Sequence, residues 1–121
     1  MEKYVEYLKA IGEPTRLRIV KLLLKAKVPL CVCEIMDCIK ANQTNVSKHL
    51  KVLKYSKLIK ERKEGKFVMY SIIKPKNDFL KHLFETLEKI PDKFFESDMK
   101  CLNERSLIIR KRWKMCNNKK C

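Results

Sequence analysis

Residues 42–73 read NQTNVSKHLKVLKYSKLIKERKEGKFVMYSII, and their order decides the fold. Asn42 is a helix N-cap residue type, and the helix it opens, about 43–55, sets Val46, Leu50 and Leu53 on one buried stripe. Thr44, Asn45, Ser47, Lys48 and Lys51 then point elsewhere. The spacing next predicts strands over 58–63 and 67–73, with Glu64-Gly65 as the hairpin turn. In the second strand Phe67, Met69 and Ser71 alternate with Val68, Tyr70 and Ile72.

A polar, basic helix followed by a basic hairpin suits double-stranded DNA. A helix fits the major groove, and short polar side chains at its N-terminal end reach base edges. Gln43, Thr44 and Ser47 are of that type, and glutamine can make a bidentate contact with adenine. Lys48 and Lys51, about a turn apart, reach phosphates or a guanine, while Arg62, Lys63 and Lys66 flank the hairpin tip, within reach of backbone phosphate or the minor groove. His49 stands beside buried Leu50, and a packing or capping role is favoured there over base contact.

Upstream, 3–11 reads as a short helix with Tyr4, Leu8 and Ile11 on one face, stopped by Gly12-Glu13-Pro14. Thr15 is placed to cap a helix of about 16–26 with Leu17, Val20, Leu23 and Leu24 as its stripe. A helix of about 31–39 follows, and with the helix beginning at 43 it makes a helix-turn-helix around Lys40-Ala41. Downstream, 77–90 carries Phe79, Leu80, Leu83, Leu87 and Ile90 on a wide face, and 98–115 can form a last helix with Leu102, Ile109 and Trp113 on a stripe. The expected division is a mainly α, dimeric winged helix-turn-helix domain over 1–95 and a C-terminal helix with a basic, cysteine-containing tail over 96–121.

Charge agrees with a nucleic-acid partner. The 121 residues carry a net +15, but residues 76–99 are net acidic and belong away from DNA. The tail from Arg110 to Lys120 reads either as an added phosphate contact or, the favoured reading, as a solvated end. No segment approaches the roughly 20 apolar residues of a membrane span, and no signal-peptide block opens the chain, so a cytoplasmic location without membrane attachment is expected. In that compartment six cysteines read as thiols, ligands or redox sensors. With histidines only at 49 and 82 and no phosphate loop, the sequence argues against an enzyme.

The stretches GEPTRLRIVKLLL (12–24), LCVCEI (30–35) and QTNVSKHLKVLKYSKLIKERKEGKFVMYSI (43–72) together resemble the ArsR/SmtB family of metal-responsive repressors. The resemblance runs from about Leu8 to Ile73 and implies a winged helix-turn-helix homodimer. Its interface would be built from the 3–11 and 77–90 helices, and it would leave operator DNA when an inducer binds. It implies no permanent cofactor.

Cys31-Val32-Cys33 opens the helix before the recognition helix, and thiolates select soft ions such as trivalent arsenic and antimony. A helix N-terminus is expected to lower the thiol pKa. The resemblance is to the arsenic-responsive branch, which makes arsenite or antimonite the implied inducer. That branch carries Cys-x-Cys-x-x-Cys, whose third cysteine would fall where this chain has Met36. Cys38 is the nearest alternative and completes the candidate set Cys31, Cys33 and Cys38. On a regular helix, though, it is about 140° out of line with Cys33 and rises about 10 Å from Cys31. Cys101, Cys116 or Cys121 could instead supply the third sulfur, or none could. A thiol-redox or persulfide-responsive repressor of the same fold is the alternative function, and an unregulated architectural DNA binder a third. Asp78 and His82 lack the Asp-x-His spacing of the family's zinc branch.

Overall fold

The protein is described by a computed structural model covering residues 1–119, with side chains through Arg112. The elements run α1 (Glu2–Ile11), α2 (Pro14–Ala26), β1 (Leu30–Cys31), α3 (Val32–Ile39), α4 (Gln43–Tyr55), β2 (Ile59–Glu64), β3 (Phe67–Ile72), α5 (Asp78–Glu88), a 3-10 turn (Asp92–Phe95) and α6 (Glu96–Lys119). This is a winged helix-turn-helix, mainly helical, with a small antiparallel sheet in the order β1-β3-β2.

Most expected boundaries hold, and the exceptions have local causes. Glu13, not Thr15, caps α2: its carboxylate accepts the Arg16 N–H at 2.9 Å. Pro14 explains the shift, because a residue with no N–H to satisfy fits the first helical position. Asn42 caps α4 as expected, its side-chain oxygen accepting the Asn45 N–H at 2.8 Å. Leu30 and Cys31, expected in a connection and a helix, form a two-residue strand against β3, with Leu30 opposite Tyr70 and Cys31 opposite Met69. Two residues are too few for alternation to announce a strand. The hairpin turn is Gly65-Lys66, one residue later than expected, since Glu64 still pairs with Phe67. Gly65 takes φ +62°, which glycine adopts without steric cost.

Helix α2 is the hub. Ile19, Val20, Leu22 and Leu23 are all buried, a girth wider than the expected stripe, because α1, α4, α5, α6 and β3 surround the helix. Lys21 is buried as well, at 2% exposure. Its ammonium donates to the carbonyls of Leu87 (3.2 Å), Glu88 (2.8 Å) and Ile90 (2.9 Å) and lies 3.6 Å from Asp92. It therefore caps the C-terminus of α5, satisfying carbonyls that a helix end leaves open. A lysine inside an apolar run gives no sequence signal of this role.

The expected α1 face is only partly internal. Tyr7, Ala10 and Ile11 are buried, but Tyr4, Val5 and Leu8 are 37%, 41% and 52% exposed. The Tyr4 ring meets Phe79 of α5 edge-on at 4.9 Å, so the two helices share one partly uncovered apolar surface.

Helix α6 does more than trail from the domain. It lies antiparallel along α3, its first residues matched to the end of α3 and its later ones to the beginning. Asp98 holds Arg18 with two bonds, at 2.7 and 2.9 Å. Cys101 is joined by a disulfide to Cys38, Cα to Cα 5.3 Å. Arg105 pairs with Asp37 at 3.0 Å, and Arg112 pairs with Glu34. These four α6 residues recur at intervals of three, four and seven, one stripe of a helix. Leu102 and Ile109 are buried as expected, while the side chain of Trp113 lies outside the described residues. The reading of Arg110 onward as a solvated end is corrected as far as it can be followed: the chain is helical there and Arg112 is docked.

Among the described residues no helix is long and apolar enough to cross a membrane.

Candidate nucleic-acid interface and thiol site

Helix α4 presents Gln43, Thr44, Ser47, Lys48 and Lys51 on its exposed side while Val46, Leu50 and Leu53 anchor the other. The turn before it is tight: Lys40 ends α3 in the left-handed region, φ 60°, its N–H bonded to the Met36 carbonyl at 2.8 Å. His49 faces inward. Its Nδ1 lies 3.4 Å from Arg16 and 3.7 Å from Glu13, which places it against the α1–α2 turn.

The wing carries Arg62, Lys63 and Lys66, all exposed. Arg62 is engaged, its guanidinium paired with the buried carboxylate of Glu64, which leaves Lys63 and Lys66 as the freer cations of that set. A small network ties the wing to α4. Lys54 pairs with Glu61, and Glu61 faces Tyr70, the residue opposite it in the hairpin. The Lys54 bond holds the Glu61 carboxyl below its usual range, while burial and the same carboxylate push Tyr70 up to about 12. The network has no sequence signal, because the facing of Glu61 and Tyr70 depends on the strand register.

Cys31 and Cys33 are free thiols, the first buried and the second exposed. Cys31 is the N-cap of α3 in a capping box. The Glu34 carboxylate accepts the Cys31 N–H at 2.9 Å, and the Cys31 sulfur faces the Glu34 N–H. The expected depression of its pKa does not occur. Burial pushes the Cys31 thiol up and outweighs the Glu34 N–H, while the Glu34 charge also raises it; the nearby Arg112 guanidinium acts in the opposite sense.

Cys38 is corrected as the third ligand. It faces the core at 1% exposure and is bonded to Cys101, so its sulfur is neither near the α3 N-terminus nor available as a thiolate. Cys101 is accordingly a structural partner of α3. Among the described residues no group of three or more His, Cys, Asp or Glu is placed to hold a metal ion. Cys121 lies outside the described residues, as does the side chain of Cys116.

Comparison with known proteins decides the family. Residues 13–61 match the family described as bacterial regulatory protein, arsR family. The chain is 30% identical over 97 residues to a transcriptional repressor SmtB homolog of Synechocystis, covering 80% of this chain and 67% of that one. The chain belongs to the ArsR/SmtB family of transcriptional repressors. It is also 40% identical over 93 residues to an uncharacterized HTH-type transcriptional regulator of Methanocaldococcus jannaschii, covering 74% of this chain and all of the other. An arsenical resistance operon repressor of Escherichia coli is 38% identical over 68 residues, 56% of this chain and 57% of its own. In structure, the homodimeric winged helix-turn-helix DNA-binding domain of Mb0332 from Mycobacterium bovis superposes with a TM-score of 0.62 at 27% identity, covering 78% of this chain and 83% of that domain. ArsR/SmtB proteins of this fold are DNA-binding regulators and not enzymes.

The thiol environments predict different reactivities. At pH 7 iodoacetamide should modify Cys33 well before Cys31, because Cys31 is buried and its raised pKa keeps it protonated. The gap should narrow as the solution is made alkaline enough for Cys31 too to form thiolate. Peptide mass spectrometry of the labelled protein checks this, and faster labelling of Cys31 at pH 7 would contradict it.

Proposed function

We propose that this ArsR/SmtB repressor binds its operator as a homodimer in the cytoplasm and leaves it when arsenite or antimonite engages the thiols of Cys31 and Cys33. The observation that carries the reading is the position of the pair. Cys31 caps α3 and Cys33 lies in its first turn, and α3 packs directly against the recognition helix α4. A trivalent metalloid drawing both sulfurs to itself must disturb the capping box, since Cys31 cannot both cap α3 and close a ring with Cys33. The E. coli relative's role in arsenical resistance agrees with that inducer class. Two protein sulfurs leave one position of the pyramidal ion for a further thiol.

DNA contact is assigned to Gln43, Thr44, Ser47, Lys48 and Lys51 on α4 and to Lys63, Lys66 and Arg62 on the wing. The homodimer is assigned to α1 and α5, whose shared apolar surface around Tyr4, Leu8 and Phe79 stays partly uncovered in one chain. The homodimeric Mb0332 domain supports that assembly.

A second reading is favoured by one observation, the Cys38–Cys101 disulfide: oxidation alone would switch DNA binding. The two readings part in one experiment. Fully reduced protein bound to its operator should release DNA on titration with arsenite. The Cys31→Ser/Cys33→Ser protein should bind equally well and stay bound. Failure of arsenite to release DNA from reduced protein would refute the metalloid reading, and loss of DNA on oxidation without arsenite would establish the redox one. At the interface, Gln43→Ala should cost roughly 1–3 kcal/mol of operator affinity and little affinity for unrelated DNA, checked by fluorescence anisotropy. Equal losses on both DNAs would remove Gln43 from base readout.

A further inference from the structure

The seam between α3 and α6 is built more strongly than a surface helix needs. Three of its bonds belong to α3 itself: the Cys38–Cys101 disulfide, the Asp37–Arg105 pair and the Glu34–Arg112 pair. A fourth, from Asp98, fixes Arg18, whose guanidinium also donates to the Ile39 carbonyl at 2.8 Å, the last residue of α3. The far end of this seam reaches the thiol site. Arg112 binds both oxygens of Glu34, one of which also accepts the Cys31 N–H. Its other arm reaches the sulfur of Met69, the strand partner of Cys31, at 3.6 Å. Arg112 thus spans the two residues that flank Cys31, and Cys31 is 7% exposed.

We propose that α6 is a redox-latched cover on the Cys31–Cys33 site, with the Cys38–Cys101 disulfide as the latch and Arg112 as the positioning residue that closes it. This rests on the metalloid reading of Cys31 and Cys33 and adds a second input to it. The capping box must open for Cys31 to leave its place, and α6 opposes that opening through Glu34. With the disulfide formed, α6 is tethered about three helical turns from Arg112, so the Arg112–Glu34 pair re-forms at high effective concentration whenever it breaks. With the disulfide reduced, the seam keeps its ion pairs and the buried contacts of Leu102 and Ile109 but loses its covalent tether, and the exposed Asp37–Arg105 pair is weak.

The latch closes by thiol–disulfide exchange with a small-molecule disulfide R′S–SR′. The half-buried Cys101 is the first to react: its thiolate attacks one sulfur, the R′S–SR′ bond breaks and R′S⁻ leaves. The Cys38 thiolate then attacks the Cys101 sulfur of the mixed disulfide and expels the second R′S⁻. Two cysteine thiols are oxidised by two electrons, the small disulfide is reduced to two thiols, and the two cysteine protons end on those thiols.

The test is labelling of Cys31 in the full chain by monobromobimane, followed by mass spectrometry. Protein oxidised with glutathione disulfide is compared with fully reduced protein. Cys31 should label about tenfold or more slowly in the oxidised form, while exposed Cys33 labels at an unchanged rate. Cys101→Ser and Cys101→Ala, two variants in case one packs badly, should label fast with or without oxidant. In oxidised protein Arg112→Gln should restore fast labelling of Cys31, and Arg112→Lys should only partly do so. Equal labelling of Cys31 in both redox states, an equal slowing of Cys33, or failure of glutathione disulfide to join Cys38 to Cys101 would overturn the proposal. None of these readouts uses arsenite, so they stand apart from DNA release: if the cover is real but arsenite leaves DNA bound, the metalloid reading alone falls.

Discussion

Helix α3 is held at both ends by one side chain each, and most of the structure hangs on that arrangement. At its start Glu34 accepts the Cys31 N–H and receives Arg112; at its end Arg18 donates to the Ile39 carbonyl while gripped by Asp98. Helix termini leave four N–H and four C=O groups open, so whatever satisfies them sets where the helix sits. Here Arg18 of α2 satisfies the end directly, while at the start Glu34 of α3 itself does so and is held in place by Arg112 of α6. The position of α3, and with it the seat of α4, is therefore coupled to elements on the other side of the molecule.

That coupling gives a physical route from a thiol to a DNA groove. Cys31 belongs at once to the sheet, as the partner of Met69, and to α3, as its cap. A ligand that recruits its sulfur acts on both. The recognition helix is tied in turn to the wing through Lys54 and Glu61, so displacement of α4 carries the hairpin with it. Coupling of this kind needs a small number of well-placed polar bonds over an otherwise apolar contact, and Val46, Leu50 and Leu53 supply the latter.

The sequence made the local features legible. Asn42 as a cap, the stripe Val46–Leu50–Leu53, the paired strands and the inward role of His49 all depend on residues close in the chain, and all are found. The misses need distant partners or exceed what periodicity can register. Strand β1 exists because Tyr70 and Met69 lie beside it. Lys21 is buried because the end of α5 brings three carbonyls to it. The pKa of Cys31 moves opposite to the helix-terminus expectation because burial, which no single-chain pattern reports, outweighs the N–H groups. Cys38 is the cysteine nearest the expected third position on α3, but its partner lies 63 residues away on α6. Of the expected α1 face only Ile11 is buried, while Tyr4 and Leu8 stay partly uncovered, because a period marks an apolar face and not how much of it is covered.

Hydrogen exchange of the reduced protein, free and with arsenite, tests most directly whether sulfur chemistry at the start of α3 reaches the recognition helix. The account predicts faster exchange of the first-turn amides of α3, around residues 33–36, and of the N-terminal amides of α4, with α5 unchanged. Unaltered exchange in both helices under conditions where DNA is released would contradict it.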